Sequence, residues 1–176
     1  ESKKMIPAVV EFNDIAGLVK GASTGEGLGN QFLAHIRECS AICEVVRCFN
    51  DDTVTHIESR VNPEADIDII QFELELKDLD SKERENLLSK KPKLFLLNGK
   101  PEDVSDALKA KIEAMGAKYV ISDLSNAEAV PELIAKAYDL LGLMSFYTTG
   151  EDESRAWTIR KGDKAPQSAG EIHTDF

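Results

Sequence analysis

Three short runs rich in aliphatic and β-branched residues, 42–49, 93–98 and 118–122, are separated by longer stretches whose apolar residues recur at helical spacing. That alternation constrains the fold more than any other feature. A twisted strand feeding a right-handed helix returns to its sheet in parallel and with one hand, so the chain is expected to form an α/β fold: a mostly parallel sheet covered by helices on both faces. The helices carry local start and stop signals. Asn62 can cap, Pro63 suits the first helical position, and Glu64 and Asp66 complement the dipole of a helix running to about Leu79. Val104, Leu108, Ile112 and Met115 line a second helix stopped by Gly116, and Pro131 opens a third that ends near Gly142. Residues 8–13 read as a further strand, with Leu28, Phe32 and Ile36 on a helix beyond it.

Ligands of such sheets bind at the carboxyl ends of the strands, where Asp14, Asn50, Asn98 and Ser122 fall. Asp14-Ile15-Ala16-Gly17 stands at the end of an apolar run and before Gly21, Gly25, Gly27 and Gly29. This is the pattern of a γ-phosphate sensor. Its carboxylate can hold Mg²⁺ through the ion's water shell, and the Gly17 N–H can reach a phosphate oxygen that a Cβ would keep away. An ordinary strand-to-helix turn has the same short pattern.

The longer run from Asp14 to Leu33, DIAGLVKGASTGEGLGNQFL, resembles the D-x-x-G motif and second switch of the YchF/Obg-like ATPases, translation-factor relatives among the P-loop NTPases. A second block agrees with it. Arg155 to Gly162 and Ala165 to Phe176 resemble the start of that family's C-terminal TGS domain. The likeness covers most of residues 8–80 and 137–176 and is weak between about 84 and 136. It implies a truncated Obg-type G domain over residues 1–145 and the N-terminal part of a β-grasp TGS domain over residues 146–176.

No G-x-x-x-x-G-K-[ST] loop, the element that supplies most of the phosphate grip in P-loop enzymes, occurs in this sequence. The family pattern also leads one to expect a helical hairpin after Leu79-Asp80-Ser81, for which Lys93 arrives too soon. The chain is therefore expected to be a fragment, or joined segments, of a longer protein, and inactive as it stands.

Base recognition is argued from Asn98. Guanine-specific relatives follow this strand with N-K-x-D, whose Asp accepts from the guanine N1 and N2 donors. Here the fourth position is Pro101, which has no side-chain acceptor, so adenine is no longer excluded. The resemblance implies N-x-x-E and a preference for ATP over GTP. Glu102 comes one place late for that motif, and Glu102 with Asp103 also reads as the charged first turn of a helix. For the water-orienting role, Leu18 stands where Ras-like proteins have Gln, and its side chain makes no hydrogen bond. The resemblance suggests His56 as the catalytic residue, with a monovalent cation such as K⁺ as the alternative. His35, on the switch helix, and His173, expected on a TGS strand, read as structural.

The net charge of −11 argues against nonspecific binding to DNA, although Arg155, Arg160, Lys161 and Lys164 make residues 154–168 locally positive. No apolar run approaches the ~20 residues of a membrane span. Cys39, Cys43 and Cys48 lack C-x-x-C spacing and read as reduced core thiols. These features fit a cytoplasmic chain. The resemblance implies ATP and Mg²⁺ as ligands and the ribosome or its RNA as partner. A binding module without catalysis is the competing expectation; a receiver-type phosphoacceptor domain fits less well, because such domains carry an acidic pair at the first strand.

Overall fold

The computed structural model describes residues 2–14, 35–51, 53, 61–80, 86–125 and 130–173. Contacts divide the chain into two compact units, one of Asp14–Leu133 and one of Glu1–Asn13 with Ile134–Phe176.

In the unit Asp14–Leu133, strands β2 (Ile42–Arg47), β3 (Lys93–Asn98) and β4 (Lys118–Ser122) form a parallel sheet in the order β2-β3-β4. Strand β3 is central and its residues Lys93 to Leu97 are all buried, as a parallel strand covered on both faces requires. One face carries Val46, Phe95 and Leu97. Against it pack Ile67 of helix α1 (Pro63–Asp80) and Leu108 and Ile112 of helix α2 (Asp106–Ala114). On the other face Leu94, Leu96 and Val120 are also buried.

The expected helix signals act as read. Asn62 Oδ1 accepts the Ala65 N–H at 3.2 Å, and Ser105 Oγ accepts the Leu108 N–H at 3.0 Å, each satisfying a first-turn donor with no partner inside the helix. Helix α2 stops where Gly116 takes φ +69°, a conformation that a Cβ disfavours. Helix α3 (Val130–Leu140) follows β4.

In the unit built from both chain ends, β5 (Leu143–Thr149) and β6 (Glu153–Arg160) pair antiparallel, and β1 (Lys4–Ile6) adds in parallel to β6. Trp157 donates its indole N–H to Thr148 Oγ1 at 2.9 Å, and the Arg155 guanidinium lies 4.0 Å from the Trp157 ring centroid. A short helix α4 (Ala165–Gly170) comes after β6.

Two expectations are corrected. Residues 8–13 are not a strand; the strand is Lys4–Ile6, and the ladder ends at Pro7, which has no N–H to donate. Beyond it Val9 and Phe12 are exposed, and the Val9 carbonyl accepts from the Tyr138 hydroxyl at 3.2 Å. His173 lies after α4 and not on a strand, because residues 165–170 coil where an extended segment was expected. The three cysteines are free; Cys48 is buried, and burial raises its thiol pKa to about 11.

Candidate functional site

The parallel register brings two of the expected residues together. Asn98 and Ser122 are directly paired at the carboxyl ends of β3 and β4. The Gly99 N–H donates to the Ser122 carbonyl at 3.0 Å, and the Cys48 N–H donates to the Asn98 carbonyl at 2.8 Å. Three strand ends are thereby held side by side. Ser122 is itself buried.

The Asn98 side chain is fixed by a contact distant in sequence. Its Oδ1 accepts the Leu124 N–H at 3.1 Å, which leaves the Nδ2 amide to donate. Beside it the chain makes a tight turn at Pro101–Asp103, where Asp103 Oδ2 accepts the Lys100 N–H at 2.8 Å. Gly99 lies in close approach to its neighbours: a Cβ there would sit 3.2 Å from both Cys48 Cβ and Asp103 Oδ2, and one of them would have to give way. Asp103 is thus committed to the backbone. Glu102 is exposed on the same turn.

Two further carboxylates at this end are held as anions. The Ser125 hydroxyl and N–H, the latter at 2.9 Å, lower the pKa of Asp123, with Lys100 adding to the effect. The Thr53 hydroxyl and N–H do the same for Asp51. Arg47 pins the chain leaving β2, donating to the carbonyls of Phe49 at 3.1 Å and Asp51 at 2.9 Å.

Asp14 is exposed and lies outside any strand. No hydrogen bond or ion pair joins it to Asn98 or Ser122 among the described residues. Gly17 and His56 lie outside the described residues. Among those described, no cluster of three His, Cys, Asp or Glu could hold a metal ion. Asp14 offers one carboxylate, which fits a water-mediated contact to an ion carried by a ligand's phosphates and does not fit a protein-built metal cage.

Sequence reasoning did not find the Leu124 N–H, the capping role of Asp103 or the clamp from Arg47. Only the second left a signal, in Pro101 followed by two acidic residues.

No helix among the described residues is long and apolar enough to cross a membrane. The YchF-GTPase_C family model, described as a protein of unknown function, matches residues 143–176. The chain is 34% identical to the ribosome-binding ATPase YchF of Bacillus subtilis over 255 residues, covering 99% of this chain and 70% of that protein. Because this chain has only 176 residues, the relative carries internal residues with no counterpart here. It is also 34% identical to the Obg-like ATPase 1 of Gallus gallus, covering 97% of this chain but only 64% of that protein. Among solved structures it resembles the Schizosaccharomyces pombe YchF GTPase, with a TM-score of 0.74, 31% identity, and coverage of 99% of this chain and 69% of the other. On this identity and coverage, the chain belongs to the YchF/Obg-like ATPase family.

Proposed function

We propose that this chain belongs to a ribosome-associated nucleotide switch that binds and hydrolyses ATP, and GTP less well, with Mg²⁺, in the cytoplasm. The observation that carries the reading is the Asn98 side chain at the carboxyl ends of β3 and β4, with Oδ1 held by Leu124 and its amide left to donate. Both purines present N7 as an acceptor beside their distinguishing edge, so an oriented amide donor suits either. Ser122 closes the same end of the sheet, and Asp14 and Gly17 serve the metal and the terminal phosphate. Mg²⁺ supplies charge neutralisation on the phosphates when bound. His56 orients the attacking water, or a K⁺ ion does so in its place.

Residues 146–176 take the role of a TGS module that presents its sheet to ribosomal RNA or a ribosomal protein. The relative named a ribosome-binding ATPase supports the ribosome as the partner.

Competition binding of ATP and GTP to the product of the complete gene tests the reading. ATP is expected to bind more tightly than GTP, since Pro101 removes a guanine contact whose loss takes away discrimination on the order of 10⁴ to 10⁵. Equal or tighter binding of GTP would mean that Glu102 reaches the base after all. Hydrolysis with and without ribosomes then separates a switch from a binding module without catalysis.

A further inference from the structure

Residues 35–38 are helical and end the segment that begins at the D-x-x-G motif. The last carbonyls of a helix have no partner inside it. Here the Cys39 N–H closes back onto the carbonyls of His35 and Ile36, at 3.3 and 3.2 Å. The Lys91 ammonium donates to the carbonyl oxygens of Arg37 at 3.0 Å and Cys39 at 2.7 Å. A cation placed on the negative end of a helix is favourable in addition to its hydrogen bonds. Lys91 lies more than fifty positions further along the chain, so this is a tertiary clamp.

The same short connection is bound to α1. Asp78 accepts the Leu88 N–H on Oδ1 and the Ser89 N–H on Oδ2, each at 2.8 Å, and so caps the 3₁₀ turn Leu88–Lys90. Leu88 is fully buried and forms one apolar cluster with Ile36 and with Leu74 of α1. The helix end, α1 and the connection into β3 therefore meet in one place. Each is tied there by a buried apolar side chain, and two polar clamps join them.

We infer that Leu88 and Lys91 form a joint, so that residues 36–39 and 88–91 open and close as a single unit and movement at the helix end is passed to the connection between α1 and β3. Lys91 is a positioning residue in this arrangement, far from the strand ends where a base would sit. The movement that the joint transmits rests on the nucleotide-switch reading; the joint itself does not.

Native-state hydrogen exchange on this chain at low denaturant concentrations tests it without nucleotide. Amides of residues 36–39 and 88–91 are expected to share one opening free energy and one denaturant dependence. Leu88→Ala is expected to accelerate exchange of both sets by the same factor, about tenfold or more, as follows from loss of a fully buried leucine. Lys91→Met keeps the apolar cluster intact and serves if the alanine variant does not fold. It too should accelerate both sets together, and Lys91→Arg should restore part of the protection. Acceleration of residues 88–91 with residues 36–39 at the wild-type rate, in Lys91→Met, overturns the joint. Adding ATP and Mg²⁺ to the product of the complete gene separates the two proposals. Binding that changes exchange at 36–39 but not at 88–91 refutes transmission through the joint. Absence of binding refutes the switch reading, while the nucleotide-free exchange result still decides the joint.

Discussion

Glu44 offers the most direct test of how this fold is held together. It lies on β2 at 6% exposure, on the face covered by α1, and its Oε1 has no hydrogen-bond partner among the described residues. Burial raises its pKa from 4.5 to about 7; Lys93 lowers it by a smaller effect, and Asp66 raises it further. Lys93 is buried beside it, donates to Gln71 Oε1, and has its own pKa lowered, chiefly by burial. Desolvation therefore outweighs the attraction between the two charges.

The sign follows from proton binding. The folded state holds the Glu44 proton more tightly than the unfolded chain, so this group stabilises the fold below about pH 4.5 and loses that contribution as pH rises to about 7. A shift of that size corresponds to about 3 kcal/mol, since each pKa unit is worth about 1.4 kcal/mol. Glu44→Gln, which mimics the neutral acid, should match the wild type near pH 4.5 and exceed its stability by up to about 3 kcal/mol above pH 7, a figure in which the attraction to Lys93 is already included. Urea unfolding of both proteins across this range measures the difference directly. Lys93→Met should move the window of pH dependence upward, because it removes the group that lowers the Glu44 pKa. Stability curves for wild type and Glu44→Gln that run parallel from pH 4.5 to 8 would refute the argument, as would a glutamine variant that is less stable at pH 8.

Three further outcomes are expected. Calorimetric titration of ATP with Mg²⁺ into this 176-residue chain should show no micromolar affinity, because Asp14 and Gly17 alone supply one metal contact and one N–H. In the product of the complete gene, single-turnover hydrolysis should fall by about tenfold or more in His56→Ala while ATP affinity stays within about twofold; an unchanged rate with and without ribosomes would remove His56 from the mechanism. Asn62→Ala should cost about 1 kcal/mol in urea unfolding, since it removes the acceptor for the Ala65 N–H, and a loss within error would mean that water replaces the cap.

The fold was legible where its determinants are local. Lys93–Asn98 and Lys118–Ser122 keep their expected bounds because each is an apolar run with a clear stop, Gly99 after the first and polar residues after the second. Strand β2 ends two residues short of the expected Phe49, because Arg47 bonds to the carbonyls of Phe49 and Asp51 and turns the chain. Residues 8–13 have the composition of a strand, but a strand exists only against a partner, and partners are not written in local composition. The pairing of Lys4–Ile6 with residues from the opposite end of the chain had no local signal. The candidate site divides in the same way. Asn98 and Ser122 could be placed by counting strand ends, whereas the bond that orients Asn98 comes from the loop after a different strand.

That bond bears on how a base could be chosen at this site. With Oδ1 oriented by the Leu124 N–H, Asn98 presents its Nδ2 donors, and both purines accept at N7, so on the proposed reading Asn98 leaves adenine and guanine nearly equal. Discrimination then depends on whether an acceptor meets the exocyclic edge. Pro101 has none, and Asp103 is committed to the Lys100 N–H. Glu102 is the exposed carboxylate left on that turn. Guanine selection requires a carboxylate placed for two parallel bonds to N1 and N2, while the adenine N6 amino group asks for one acceptor over a broader range of positions. A carboxylate displaced by one residue from the guanine-reading position loses the paired geometry before it loses a single bond. On the proposed reading, a preference for ATP would follow from a loss of precision at Glu102 together with the absence of any side-chain acceptor at Pro101.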